Sequence, residues 1–231
     1  MCRQARLKAK DAGTRKLADS PMLFRDTNNP DYYIALPMVS SERRRYIPMA
    51  YLDGETIPTN QVQTIPNATL YHFGVLTSNV HMAWTRAVCG RLKSDYRYSK
   101  DIVYNNFPWP VTNGAGVRDR SQSKRFTPSG VQLPSALTVS TSVCHLVNEN
   151  EKKSVEVLAK AVLDARAKYP DSSLADLYDP LAMPPDLLKA HRALDSAVMK
   201  LYGFPVKKDF TEADCVAALM EMYKMLVDSS Q

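Results

Sequence analysis

The sequence predicts an α+β protein in which a mixed α/β domain is followed by a small α-helical bundle. Between residues 32 and 52, short runs of β-branched and aromatic residues are interrupted by prolines, a pattern typical of strands. From residue 151 onward, apolar residues recur at spacings of three and four, which indicates amphipathic helices. With 231 residues, 45% of them hydrophobic, the chain is long enough to bury a core.

The first part of the chain is predicted to be weakly helical over residues 14–24 and then to form strands. The strand-like runs are "YYIALPMV" and "RRRYIPMAYL", and nearby prolines exclude long helices there. Residues 70–92 carry apolar side chains at helical spacing, which predicts one amphipathic helix. Gly90 is expected near the end of that helix, where glycine is common.

Residues 111–150 are rich in Ser, Thr, Asn and Gly without a clear period, which predicts an irregular linker or insertion. The predicted domains are therefore residues 14–110 and residues 151–228. The second is expected to contain three helices, over residues 151–168, over residues 186–202, and from Thr211, which Asp214 would help to cap.

The composition favours a polyanionic partner and argues against a disulfide-rich, zinc-binding, membrane or secreted protein. Thirty Lys and Arg face 24 Asp and Glu, a net charge of +6. Four cysteines lie far apart without a C-x-x-C pair, so neither a disulfide framework nor a zinc site is predicted. No apolar run approaches the roughly 18 residues of a membrane span, and the N-terminus lacks the apolar stretch of a signal peptide. We expect a cytoplasmic protein.

The sequence contains no recognisable catalytic or cofactor motif. There is no G-x-G-x-x-G, G-K-[ST] or G-x-S-x-G, and the four histidines are scattered. We therefore predict no catalytic residue, no metal site and no cofactor bound by this chain.

Two segments carry the side chains that proteins use to bind nucleic acids. The first is a candidate for contacts to phosphates, with a solvated loop as the alternative; its residues are Ser40, Ser41, Arg43, Arg44 and Tyr46. In the second segment cations alternate with tyrosines, and Arg91 and Tyr98 are further candidates for backbone contacts.

Lys93 and Asp95 are the candidates for reading a base pair. Because they are two residues apart, they would point the same way in an extended segment. Lys93 could donate to O6 or N7 of guanine while Asp95 accepts from the cytosine amino group. The alternative is a simple Lys–Asp surface pair.

The run "FGVLTSNVHMAWTRAVCGRLKSDYRYSKDIVYNNFPWP" resembles the end of the target-recognition domain of MmeI-type enzymes. The stretches "TRKLADSPMLF" and "VSSERRRYIPMAYL" resemble the beginning of that domain, and residues 151–226 resemble the helical C-terminal region. These enzymes join adenine-N6 methylation, often restriction, and DNA recognition in one chain.

The resemblance implies that this region binds double-stranded DNA and reads its sequence. An upstream domain of the family binds S-adenosylmethionine and methylates a flipped adenine, so catalysis by this chain alone is not expected. The two variable positions of "GRLxSx" form the family's base-reading pair, here Lys93 and Asp95, and this combination suggests a G on the methylated strand. Asn60, Gln61 and Arg97 match other positions near bases.

The predicted function is thus sequence-specific recognition of double-stranded DNA as part of an adenine-N6 methyltransferase of the restriction-modification type, with the catalytic domain absent from this chain. One alternative is a non-catalytic remnant or interaction subunit that packs on a separate methyltransferase chain. Another is an RNA-binding module that stacks bases on its tyrosines, which would prefer single strands.

Overall fold

The computed structural model describes residues 2–22, 30–110 and 147–228, and it confirms the α+β fold class. Two short helices come first, α1 (Cys2–Leu7) and α2 (Ala12–Lys16). Asp11 caps α2 by accepting a hydrogen bond of 2.7 Å from the Thr14 amide. The helix predicted over residues 14–24 is therefore shorter and begins two residues earlier, and residues 23–29 lie outside the described part of the chain.

The larger sheet contains three antiparallel strands, with β1 (Tyr32–Pro37) between β3 (Ala50–Asp53) and β4 (Val62–Pro66). In its register Ile34 lies opposite Tyr51 on one side and Ile65 on the other. Four consecutive residues of β1 are buried, as expected for a central strand covered on both faces.

The smaller sheet is also antiparallel, in the order β2 (Val39–Ser40), β6 (Asp95–Arg97) and β5 (Gly90–Leu92). The two sheets meet at Met38, whose amide donates to the Gln61 carbonyl at 3.1 Å and whose carbonyl accepts from the Tyr98 amide at 2.9 Å. Residues that are far apart in the sequence are thereby placed side by side.

The single helix predicted over residues 70–92 is wrong, because the structure divides it into α3 (Leu70–Leu76) and α4 (Asn79–Val88). Thr77 and Ser78 separate the two helices: the Thr77 hydroxyl donates to the Phe73 carbonyl at 2.8 Å, and Ser78 caps α4. Hydroxyl side chains offer the backbone such alternative bonds and therefore favour helix ends.

The three helices predicted in the C-terminal part are confirmed as α5 (Glu149–Ala167), α7 (Pro185–Leu201) and α8 (Glu212–Asp228). The predicted cap of α8 is also present, since the Thr211 amide donates to Asp214 at 2.8 Å and the Asp214 amide to Thr211 at 3.2 Å. A short helix, α6 (Leu174–Leu177), was not predicted. Residues 111–146 of the predicted linker lie outside the described residues.

The C-terminal helices share one core with the first part of the chain. Helix α5 packs against α7 and also against α3, while α8 packs against α4. Gly74 of α3 lies so close to α5 that a Cβ on it would stand 2.7 Å from Val155 Cγ1. The helical bundle is therefore completed by α3 and α4, which belong to the segment that also carries both sheets.

A buried arginine connects the two parts of the chain. Arg166 of α5 donates to the Met49 carbonyl at 2.7 Å and, through Nε at 2.9 Å, to the Tyr178 hydroxyl. Its guanidinium also lies 5.2 Å from the centre of the Phe73 ring. The strand region before β3 is thus held against α5 and α6.

A second set of buried polar contacts continues from Tyr178 into α7. The Tyr178 hydroxyl and His191 Nε2 are 2.6 Å apart, and the His191 ring stacks on Tyr46 with centres 4.2 Å apart. Tyr46 donates to Asp195 at 2.6 Å, and the other oxygen of Asp195 accepts from the Asn79 amide at 2.8 Å. Asp195 therefore joins the start of α4 to the residues that follow β2.

Three buried titratable side chains, His81, His191 and Asp195, make the free energy of unfolding depend on pH. Burial lowers the pKa of both His81 and His191 to about 3, so the folded chain excludes two protons that the unfolded chain binds below about pH 6.5. Burial raises the pKa of Asp195 to about 6, so between pH 6 and 4 the folded chain keeps one proton that the unfolded chain releases. Between pH 6 and 4 the unfolded chain therefore binds one proton more than the folded chain.

We expect the free energy of unfolding to fall by about 1.4 kcal/mol for each pH unit from pH 6 to pH 4. In the variant Asp195→Asn the opposing proton is lost, so the fall should be about twice as steep. Urea denaturation at pH 7, 6, 5 and 4 measures both slopes. Equal slopes for the two proteins would contradict the assignment of a raised pKa to Asp195.

Candidate nucleic-acid interface

The candidate site is built on the hairpin of β5 and β6, with β2 as the third strand. Arg97 lies opposite both Val39 and Gly90, and Asp95 lies opposite Leu92. Since directly opposed residues share a face of a sheet, these five residues form one face, which we call the hairpin face. It is exposed, and Val39 and Leu92 remain 43% and 48% accessible. Tyr96 points to the other face and is buried.

Lys93 and Ser94 form the turn at the tip of the hairpin. Lys93 has a φ of 57°, as the first position of a two-residue hairpin loop requires. The prediction that Lys93 and Asp95 lie along one extended strand is therefore wrong, because the chain reverses between them. Both side chains are nevertheless at the tip of the same hairpin, where Lys93 is exposed and Asp95 half-buried.

Arg91 holds this tip in place. Its guanidinium donates to the Ser94 carbonyl at 3.1 Å and lies 4.2 Å from the centre of the Tyr96 ring. It also stands 3.8 Å from a carboxylate oxygen of Glu42. The Glu42 amide in turn donates to Asp95 at 3.3 Å, so the loop after β2 and the hairpin are joined.

The arginines of the loop after β2 differ in their surroundings. The side chain of Arg43 is exposed. Arg44 is half-buried and reaches Ser40 Oγ at 3.5 Å and the Ala175 carbonyl at 3.4 Å. Arg45 donates to the Tyr46 hydroxyl at 3.1 Å. Of the three, Arg43 is the one best placed for a partner in solution.

Three residues predicted to contact the DNA backbone lie inside the protein. Ser40, Tyr46 and Tyr98 are 3%, 1% and 3% exposed. Tyr46 is bonded to Asp195, and the Tyr98 hydroxyl is 2.9 Å from His81 Nε2. Their burial corrects the prediction of direct phosphate contact, since in this structure they can act only by positioning the loop and the hairpin.

Asn60 and Gln61 precede β4 and are exposed. The Gln61 carbonyl accepts from Met38, and Met38 bonds to Tyr98, the residue that follows Arg97. The structure thus brings the loop that carries Asn60 and Gln61 next to the end of β6.

Cationic side chains outnumber carboxylates on the loop and the hairpin. The two segments carry two carboxylates, Glu42 and Asp95. They carry six cations, which are Arg43, Arg44, Arg45, Arg91, Lys93 and Arg97. Such a surplus suits a phosphate backbone. The exposed apolar residues Val39 and Leu92 were missed from sequence, because Val39 is placed beside Arg97 by pairing of distant segments and Leu92 was assigned to the helix predicted over residues 70–92.

Within the described residues, no group of three or more His, Cys, Asp or Glu side chains could hold a metal ion. The helices in the same ranges are all too short or too polar to cross a membrane.

Comparison with known proteins identifies two family models along the chain. The MmeI target recognition domain matches residues 1–111, and the MmeI C-terminal domain matches residues 147–230. DNA methyltransferase A of Bacillus subtilis (strain 168) is 34% identical over 225 residues, which are 96% of this chain and 21% of that relative.

A solved structure of the type IIL restriction-modification enzyme MmeI in complex with DNA is also similar, with 37% sequence identity and a TM-score of 0.71. The match covers 98% of this chain and 25% of that one. The chain therefore spans about a fifth to a quarter of the length of these relatives.

Proposed function

Because this chain belongs to the MmeI family, with a target recognition domain followed by the C-terminal domain, we propose that it recognises a specific sequence in double-stranded DNA. We assign this activity to the recognition part of an adenine-N6 methyltransferase of the restriction-modification type. The methyltransferase domain would lie in another part of the protein or on a separate chain.

The observation that carries this proposal is the hairpin of β5 and β6, a two-stranded ribbon whose hairpin face is exposed and whose strands and tip carry Arg91, Lys93 and Arg97. The major groove of B-DNA admits such a ribbon. The surface occurs in a chain whose fold matches a protein solved in complex with DNA. The shape of the hairpin, its positive charge and the similarity to a DNA-bound protein thus all support double-stranded DNA as the partner.

Each group has a distinct part in the proposed complex. Lys93 would donate to guanine and Asp95 would accept from the paired cytosine, while Arg97, Asn60 and Gln61 would lie near neighbouring bases. The groups proposed at the phosphates, where contacts fix the register without reading sequence, are Ser41, Arg43, Arg44 and Arg91. Arg44 and Arg91 also hold the loop and the hairpin through their contacts within the protein.

We propose that S-adenosylmethionine, the methyl donor of the family, is bound by the methyltransferase domain and not by the described residues of this chain. None of the described helices is preceded by a glycine-rich loop that could approach a nucleotide-like group closely. Methyl transfer is therefore assigned to the methyltransferase domain and to none of the described residues. Cys2, Cys89 and Cys215 are free thiols, in keeping with the reducing cytoplasm in which we place the protein.

The proposal is tested by titrating the purified chain against a labelled duplex and against single-stranded DNA and RNA of the same sequence, each at two salt concentrations. We expect preference for the duplex and weaker binding at the higher salt concentration. Preference for single strands would favour an RNA-binding module. Absence of binding to all three would favour an interaction subunit or remnant.

Arg43→Ala is expected to weaken binding to all duplexes alike, by roughly threefold to tenfold at low salt, because it removes one phosphate contact without reading bases. The slope of log Kd against log salt concentration should fall by about one. The exposed Lys160 of α5 offers a matched control, and Lys160→Ala should change neither quantity. An Arg43 variant with unaltered affinity and salt dependence would remove Arg43 from the interface.

A further inference from the structure

Gly90 has no role that the fold explains. Gly90 lies near a helix end, as expected, because it directly follows Cys89, the C-cap of α4; it is also the first residue of β5 and lacks the positive φ that makes glycine common after helices. Among the described glycines, only Gly203 has a positive φ. The backbone at residue 90 is therefore open to any amino acid.

Packing does not require a glycine at this position either. A Cβ built on Gly90 would have the Arg97 carbonyl oxygen, at 3.9 Å, as its neighbour, an ordinary contact. By comparison, a Cβ on Gly54 would stand 2.9 Å from Pro30, and one on Gly74 would stand 2.7 Å from Val155. A glycine in a strand costs conformational entropy and adds no side-chain packing. Alanine should thus be at least as stable at residue 90.

The position of Gly90 on the hairpin face suggests that this residue is a glycine because of a binding partner and not because of the fold. The register places it directly opposite Arg97, with Val39 beyond Arg97 and the Asp95–Leu92 pair adjacent along the strands. The absent side chain leaves a gap in this face beside an exposed cation. Exposed strand glycines without a conformational role often mark places where another molecule approaches the backbone closely.

We propose that Gly90 is the point where the DNA duplex comes closest to the protein, with a strand of the duplex in contact with the main chain of residues 89–91. This inference rests on the proposed function. Close approach there brings Arg97 and Asp95 within hydrogen-bond distance of base edges. A side chain at residue 90 would hold the duplex away by more than hydrogen bonds of about 2.7–3.2 Å tolerate.

The test compares Gly90→Ala and Gly90→Val with the unaltered chain in thermal unfolding and in titration with the duplex that the unaltered chain binds most tightly. Both variants should keep the melting temperature. Affinity should fall about tenfold for Gly90→Ala and about a hundredfold for Gly90→Val, which corresponds to about one and two steps of 1.4 kcal/mol. Ala193→Val, on an exposed position of α7, is a control for an added apolar side chain and should bind normally.

Three results would overturn the inference. Normal affinity of Gly90→Val would show that no partner approaches residue 90. A marked loss of thermal stability in Gly90→Ala would show that the glycine serves the fold. Failure of the unaltered chain to bind any duplex would overturn the proposed function, and this inference with it, whereas binding by the unaltered chain and by both variants would overturn this inference alone.

Discussion

A chain ending at Pro110 is expected not to fold, although residues 1–111 match the MmeI target recognition domain. Phe73, Gly74 and Leu76 of α3 are buried in the core shared with α5 and α7. Removal of residues 111–231 would expose Phe73, Leu76 and the backbone of Gly74 and would leave Met49 without the hydrogen bond from Arg166. Exposing a large apolar side chain costs about 1.5–3 kcal/mol, so exposing several at once costs about as much as the whole stability of about 5–15 kcal/mol of a typical domain.

Circular dichroism and urea denaturation of the truncated chain test this expectation. No cooperative transition should be seen for residues 1–110 alone. Addition of a second fragment, residues 147–231, should restore the transition, because it supplies α5, α7 and α8 in trans. Cooperative unfolding of the truncated chain by itself would show instead that the two predicted domains fold independently.

The double variant Lys93→Glu with Asp95→Arg is expected to reverse the preferred orientation of one base pair, from G·C to C·G. A carboxylate at residue 93 would accept from cytosine, and an arginine at residue 95 would donate to guanine. The expected change in relative affinity is about tenfold to a hundredfold, since a good base contact contributes about 1–3 kcal/mol of discrimination. Neither Lys nor Glu is β-branched, so the positive φ at residue 93 should be tolerated equally.

Competition between two duplexes that differ only in that base pair measures the change. Ser94→Ala, between the two positions, keeps both charges and should leave the preference unaltered. If the double variant bound both duplexes more weakly by the same factor, Lys93 and Asp95 would be phosphate or structural residues and their assignment as base-reading residues would be wrong.

Helices and strands could be located from the sequence where their position is determined by local residue pattern. Apolar spacing and the Thr211–Asp214 cap located the C-terminal helices, and prolines with β-branched runs located β1 and β3. The break between α3 and α4 was missed because the apolar spacing continues through Thr77 and Ser78. The hairpin tip was missed because Lys93 and Ser94 are not the glycine or asparagine that usually mark such a turn.

The sequence indicated which segments carry the candidate site, but not which of their side chains are exposed or lie side by side. Tyr46 and Tyr98 resembled exposed binding residues because the groups that bury them are distant; Asp195 follows Tyr46 by 149 residues. The hairpin face likewise depends on the register between β2 and β6, which pairs residues more than 50 positions apart, and on the register between β5 and β6, which is set by the turn at Lys93 and Ser94. Burial and register are tertiary properties, so residue type and spacing alone could not assign these side chains.

The most direct test of sequence-specific DNA recognition is selection from a randomised duplex library by the purified chain at two salt concentrations, followed by sequencing of the bound fraction. We predict enrichment of a short motif with a fixed G, and replacement of that G by C when the same selection is made with Lys93→Glu and Asp95→Arg. Salt-sensitive binding without an enriched motif would contradict the account, because it would leave a cationic surface that binds DNA without reading it.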